Sequence, residues 1–181
     1  MSAQRGFTLI ELVVVVAIMG VVGAFTLANF RSFGDDQKLK NGLLDIQSML
    51  RTAQTNTTTN VKCDTKYGAR WSVAFVNSGT LELGCMEPSG LIQNPWNQAT
   101  LKKTLTLDSS ITIKNASLSP SAQCPGSQPF SVVFSPIDGT IFFYKSPSEY
   151  LNCTTATITL QNTKSQTKTF VIEKGGRIYE Q

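Results

Sequence analysis

The chain has 181 residues, 41% of them hydrophobic and 15% charged, with 16 basic and 12 acidic side chains for a net charge of +4. That length holds one ordinary domain plus a tail rather than a two-domain enzyme, and the lack of any histidine removes His-ligated metal sites and the Ser-His-Asp and Cys-His nucleophile systems. The charge is too mild to announce a nucleic-acid binder, though it leaves room for a local basic stripe.

Leu12 to Phe30 reads LVVVVAIMGVVGAFTLANF, nineteen residues without a charge. As a helix the run would be about 28 Å long, the thickness of a bilayer's hydrocarbon core. Its β-branched Val13–Val16 and its Gly20 and Gly23 suit lipid or a helix bundle better than water. A secretory signal peptide would end in a small-x-small cleavage pattern, which Asn29-Phe30-Arg31-Ser32 does not supply. It also leaves Glu11 without a purpose, since a carboxylate beside hydrocarbon costs on the order of 2.5–3.5 kcal/mol.

After Arg31 the pattern becomes amphipathic. Leu39, Leu43, Ile46, Leu50 and Ala53 recur at four- and three-residue intervals, with Asp35, Asp36, Lys38, Lys40, Asp45 and Arg51 between them. One helix from Phe7 to about Asn56 is therefore expected, with Gly34 and Gly42 as weak points and Thr55–Asn60 (TNTTTN) as its end.

The rest reads as short strands: 69–76, 80–83, 101–107, 111–114, 130–134, 139–144, 156–160, 167–173 and 177–179. They are rich in β-branched and aromatic residues and separated by turn signals. Residues 85–100 and 117–129 are expected to be irregular. Twenty-one threonines solvate such strands without ionising, which accounts for the low charge. The fold class is α+β, a long N-terminal helix followed by an antiparallel two-sheet β-sandwich.

Cys63, Cys85, Cys124 and Cys153 all follow the apolar helix. Their even number, the absence of a CxxC pair and the missing histidines point to disulfides in an oxidising compartment rather than to zinc. Of the three possible pairings, Cys63–Cys85 and Cys124–Cys153 are favoured, because each pair brackets one expected hairpin. Arg5 ahead of the apolar run then agrees with a cytoplasmic N-terminus and an exported C-terminal domain. Asp64, Asp108, Asp138 and Glu149 are dispersed in loops or turns. With no catalytic set, no enzyme activity, metal or cofactor is expected.

Gly6-Phe7-Thr8-Leu9-Ile10-Glu11-Leu12, at the lip of the charge-free helix, closely resembles the processing site of type IV prepilins and type II secretion pseudopilins. The resemblance covers residues 1 to about 30. It implies that a membrane prepilin peptidase cuts between Gly6 and Phe7 and methylates the Phe7 amine. It further implies that Glu11 pairs with the Phe7 amine of a neighbouring subunit during assembly. The partners would be other pilins through the helix, the inner-membrane assembly machinery and, before assembly, membrane lipid. The domains on this view are a leader over 1–6, a transmembrane or filament-core helix over 7–30, its amphipathic continuation over 31–57 and a periplasmic β-domain over 58–181. Leader removal takes Arg5 and lowers the side-chain charge to +3.

Major pilins usually carry a proline about twenty residues into the mature chain, where Thr26–Phe30 here has none. That leans toward a minor pilin or pseudopilin. The stretches Phe134-Ser135-Pro136-Ile137-Asp138-Gly139-Thr140, Ile158-Thr159-Leu160, and Phe170-Val171-Ile172-Glu173 leading to Gly175-Gly176-Arg177-Ile178 are similar to the ending of the GspH/FimT pseudopilins, sandwich domains placed near the filament tip. Some FimT-type members bind DNA through a Gly-Arg-x-Arg element. The matching residues here are Gly176-Arg177-Ile178-Tyr179, so Tyr179 replaces the second arginine. Lys164, Lys168, Lys174, Arg177 and Tyr179 form the candidate DNA contact. Two alternatives thus stand beside the structural subunit: a DNA-binding minor pilin, and an unprocessed single-span exported binding protein that keeps Met1.

Overall fold

The structure is a computed structural model that describes residues 8–87, 99–120, 124, 129–136, 138–145, 148–149 and 153–181, with the side chains of 25–33 and 148–149 outside that set. Among these, the order is α1 (Leu9–Thr58), β1 (Arg70–Phe75), β2 (Thr80–Met86), β3 (Thr100–Thr106), β4 (Ile111–Ser119), β5 (Phe130–Phe134), β6 (Ile141–Lys145), β7 (Ser148–Glu149), β8 (Thr155–Asn162), β9 (Thr167–Glu173) and β10 (Ile178–Glu180). The chain divides into two compact units, Met1–Gln37 and Lys38–Gln181, so the second half of α1 belongs to the same body as the strands.

In that body the expected stripe is the buried one. Leu39, Leu43, Ile46, Leu50 and Ala53 are each 1% exposed or less and share one apolar cluster with residues of both sheets. The helix is unbroken through Gly34 and Gly42. At Gly42 an added Cβ would stand 3.2 Å from Ile111 Cδ1, so the glycine lets the start of β4 approach the helix. The Thr-rich segment does not stop α1 at Asn56, as the sequence suggests, but remains helical to Thr58. The hydroxyls of Thr57 and Thr58 donate to the carbonyls of Ala53 and Gln54, four residues earlier, and so satisfy themselves within the helix. The chain then leaves through Asn60 in the left-handed region, φ 58°.

Both sheets are antiparallel. The larger runs β3-β2-β1-β5-β6-β7 and the smaller β10-β9-β8-β4. β1 and β5 lie centrally and are buried on both faces, as their apolar runs require. Phe75 and Phe130 face each other in register and stack at 4.8 Å between ring centroids. β8 alternates instead, with Ala156, Ile158 and Leu160 inward and Thr155, Thr157 and Thr159 outward. Several strands outrun their expected limits; among them β2 reaches Met86, β3 begins at Thr100 and β4 continues to Ser119, so the ends of both supposed loops are strand. The polar Asn115-Ala116-Ser117-Leu118-Ser119 hid the last of these, although Ala116 and Leu118 are buried on one face.

The two glycine-containing turns of the C-terminal half meet at the end of α1. Gly139 and Gly176 have φ of 67° and 89°. A Cβ on Gly176 would lie 2.9 Å from Gln54 Nε2 and 3.4 Å from the Gly139 carbonyl oxygen. Gln54 Nε2 donates to the Gly176 carbonyl at 3.1 Å, Arg51 to that of Ile178 at 3.4 Å. The Ile141 N–H donates to the Lys174 carbonyl at 2.9 Å, tying one sheet to the other. These glycines are thus demanded by turn conformation and close approach together.

Candidate functional site

Gly6 and Phe7, the expected cleavage pair, lie outside the described residues. The structure does show how the helix begins next to them. The Thr8 N–H and hydroxyl donate to Glu11 Oε2 at 2.9 and 2.8 Å, while the Glu11 N–H reaches back to Thr8 Oγ1 at 3.4 Å. This reciprocal capping box satisfies backbone donors that the first helical turn leaves without partners. Thr8 is missing from the expected site residues, although the Thr-x-x-Glu spacing ahead of an apolar run is the sequence signature of such a cap.

From this cap onward the helix surface is apolar on all sides. Leu9, Ile10, Leu12, Val13, Val14, Val15, Val16, Ile18, Met19, Val21 and Val22 are all exposed, Val15 least at 44%. A helix greasy around its whole circumference needs lipid or other helices around it. Among the described residues no helix is long and apolar enough to cross a membrane. The expected apolar span continues into 25–33, whose side chains lie outside the described set.

The cysteines are joined Cys63–Cys85 and Cys124–Cys153, and all four are buried. The first bridge ties the segment after α1 to β2; the second brackets the β5–β6 hairpin.

Two basic residues of the C-terminal half, Lys168 and Arg177, stand beside carboxylates. Lys168 Nζ lies 3.1 Å from Glu180 Oε1, and Arg177 Nε 3.8 Å from Glu173 Oε2. The Arg177 guanidinium also sits over the Tyr179 ring at 5.0 Å. A hydrogen bond to Glu173 pushes the Tyr179 hydroxyl pKa above its ordinary value. Lys174 lies over the Phe142 ring at 6.0 Å, and the Lys164 N–H donates to Asn162 in its turn. What the sequence offers as a basic edge is, for Lys168 and Arg177, a set of local ion pairs.

Asp64, Asp108 and Asp138 lie in separate turns or loops. Each is held below the usual carboxylate pKa by its own hydrogen bonds. Lys102 and Thr100 do this for Asp64, the Ser110 hydroxyl and N–H with Lys38 nearby for Asp108, and the Thr140 N–H for Asp138. A lowered folded-state pKa means that the unfolded chain binds more protons, so stability rises with pH across that window. These three contributions are fully present above the unfolded value of about 3.9 and are lost as pH falls through the lower folded values. The melting temperature of the full chain in detergent should hold through mildly acidic pH and drop below about pH 4. Asp108→Asn should flatten that drop, and an equally steep one would show that Asp108 takes no part.

Residues 1–27 match the family model described as the prokaryotic N-terminal methylation motif. Two fimbrial proteins of Pseudomonas aeruginosa are each 25% identical to the chain over 129 residues, spanning 70% of it and 84% of their own length. No solved structure matches the chain.

Proposed function

We propose that this chain is a type IV pilin-like structural subunit rather than an enzyme, a reading that the methylation motif and the fimbrial relatives support, and more finely a minor pilin or pseudopilin acting in the initiating or tip complex of its filament. The observation that carries the assembly role is the helix from Leu9 to Val22, apolar around its whole surface and exposed along its length. In a membrane that surface faces lipid. In a filament it faces the same helix of neighbouring subunits, and transfer between the two needs no change in the body. Cleavage after Gly6 frees the Phe7 amine four residues before Glu11, a spacing that lets amine and carboxylate meet between staggered chains and select the stagger. Prepilin peptidase and other pilins are the partners this requires.

The minor or pseudopilin assignment is supported by the absence of proline in Thr26–Phe30 and by the sequence resemblance of the stretches around Gly139 and Gly176 to the GspH/FimT ending. The body would lie in the periplasm or beyond, where its two disulfides are at home. The ion pairs of Lys168 and Arg177 support assembly over DNA binding, because an incoming phosphate would compete with carboxylates already in place.

The mass of the mature N-terminus tests the pilin-like reading. The protein taken from the membrane fraction should begin at Phe7 and carry one methyl group on its amine, and Gly6→Ala should leave the six-residue leader attached. An intact Met1 in the native protein would instead favour the unprocessed, exported single-span protein.

A further inference from the structure

Each sheet has two edges, and the four are closed in different ways. Among the described residues β7 has two residues and β10 three, short for templating another strand. β3 and β4, at the edges of the larger and smaller sheets, have seven and nine, long enough for pairing with a foreign strand. Both carry the same irregularity. In the β2–β3 ladder Leu83 faces Lys103 and Gly84 faces Leu101, leaving Lys102 over. In the β8–β4 ladder Leu160 faces Ile113 and Thr159 faces Asn115, leaving Lys114 over. Each long edge thus has one extra residue that breaks its ladder, that residue is a lysine both times, and both lysines are exposed. A bulge bends an edge away from flat pairing, and a lysine there makes an incoming strand desolvate an ammonium.

The β3 edge has a further guard. Asp64 accepts hydrogen bonds from Thr100 and Lys102, and it follows Cys63, whose disulfide partner Cys85 stands opposite Thr100 in the ladder. The bridge thereby carries a second charge to the same strand. Without Lys102 and Lys114 the two edges keep Thr, Leu, Ile, Ser, Asn115, Ala116 and one lysine, Lys103, which stands in register opposite Leu83.

We propose that Lys102 and Lys114 bar the two long sheet edges from pairing with strands of neighbouring copies, so that bodies held close together do not fuse edge to edge. The proposal does not depend on which filament the chain enters.

The test uses the full chain in detergent micelles and two double variants that remove the same charge. Lys102→Thr/Lys114→Thr removes the two bulge lysines. Lys62→Thr/Lys174→Thr takes two positive charges from outside them. Sedimentation over a concentration series should show the edge variant passing from the parent's size to growing oligomers. Amide exchange should slow at the same time in 100–106 and 111–119. The control variant should sediment as the parent does. A second edge variant, Lys102→Gln/Lys114→Gln, keeps long polar side chains without charge and decides the matter should the threonine variant fail to fold. The proposal is overturned if the folded edge variant keeps the parent's size, if the control associates equally, or if oligomers form without protection of those two strands.

Discussion

Glu11→Gln should abolish incorporation of the subunit into filaments while leaving its folded body intact. Glutamine can still accept the Thr8 hydrogen bonds, since either side chain serves the third position of a capping box, so the start of the helix is preserved and only the charge is lost. If the carboxylate meets the amine of a neighbouring Phe7 in the apolar core, its removal strands that ammonium without a partner. Breaking a buried pair in this way costs about 3–5 kcal/mol, a hundredfold or more in assembly at about 1.4 kcal/mol per factor of ten. Thr8→Ala makes the opposite cut. It removes the cap and keeps the charge, at a cost of about 1 kcal/mol, so incorporation should fall only severalfold. The quantity to measure is the fraction of subunit recovered in sheared filaments, alongside the melting curve of the body, whose buried cluster begins at Leu39 among the described residues. Wild-type incorporation of the glutamine variant would sink the pairing role; equal losses in both variants would mean that capping, rather than charge, is what assembly needs.

The parts of the fold that could be read from the sequence are those governed by periodicity. The spacing of Leu39, Leu43, Ile46, Leu50 and Ala53 fixes which side of α1 is buried, and the alternation Thr155 to Leu160 fixes which side of β8 faces the core. The misplaced boundaries fell where local preference yields to packing. Thr57 is a poor helix former alone, yet its hydroxyl donates to Ala53 and accepts from the Trp71 N–H, so the body holds it helical. The second half of β4 was hidden by its polar residues, because an edge strand needs few apolar ones. At the candidate site, Glu11 announces itself as an acid beside an apolar run. Thr8 is signalled only by its spacing to Glu11, the Thr-x-x-Glu of a capping box, and the structure sets its hydroxyl between the Glu11 carboxylate and amide. The ion pairs of Lys168 and Arg177 were out of reach, since which lysine meets which glutamate depends on the β9–β10 register.

Phe130→Ala should be among the most destabilising single changes in the body. The ring is 1% exposed and stacks on Phe75, itself fully buried, across the β1–β5 ladder at the centre of the larger sheet. Truncating a phenylalanine in such a setting costs about 3–5 kcal/mol, the lost transfer energy plus that of the cavity left behind. Small domains rarely hold more than about 5–15 kcal/mol in all. The neighbourhood has little freedom to collapse into the space: Phe75 and Phe134 are fixed by ladder pairing, and the β5–β6 hairpin is closed by Cys124–Cys153. Phe130→Leu keeps most of the volume and should cost under about 1.5 kcal/mol plus the ring contact with Phe75, about 0.5–1.5 kcal/mol. Denaturant unfolding of the full chain in detergent, with the disulfides intact, gives both numbers. The expected order is wild type, then leucine, then alanine, with the midpoint moving and the slope unchanged. A loss under about 1 kcal/mol for Phe130→Ala would mean that the β1–β5 pair is not the rigid centre of the body and that its stability rests on the helix-to-sheet contacts of Leu43, Ile46 and Leu50 instead.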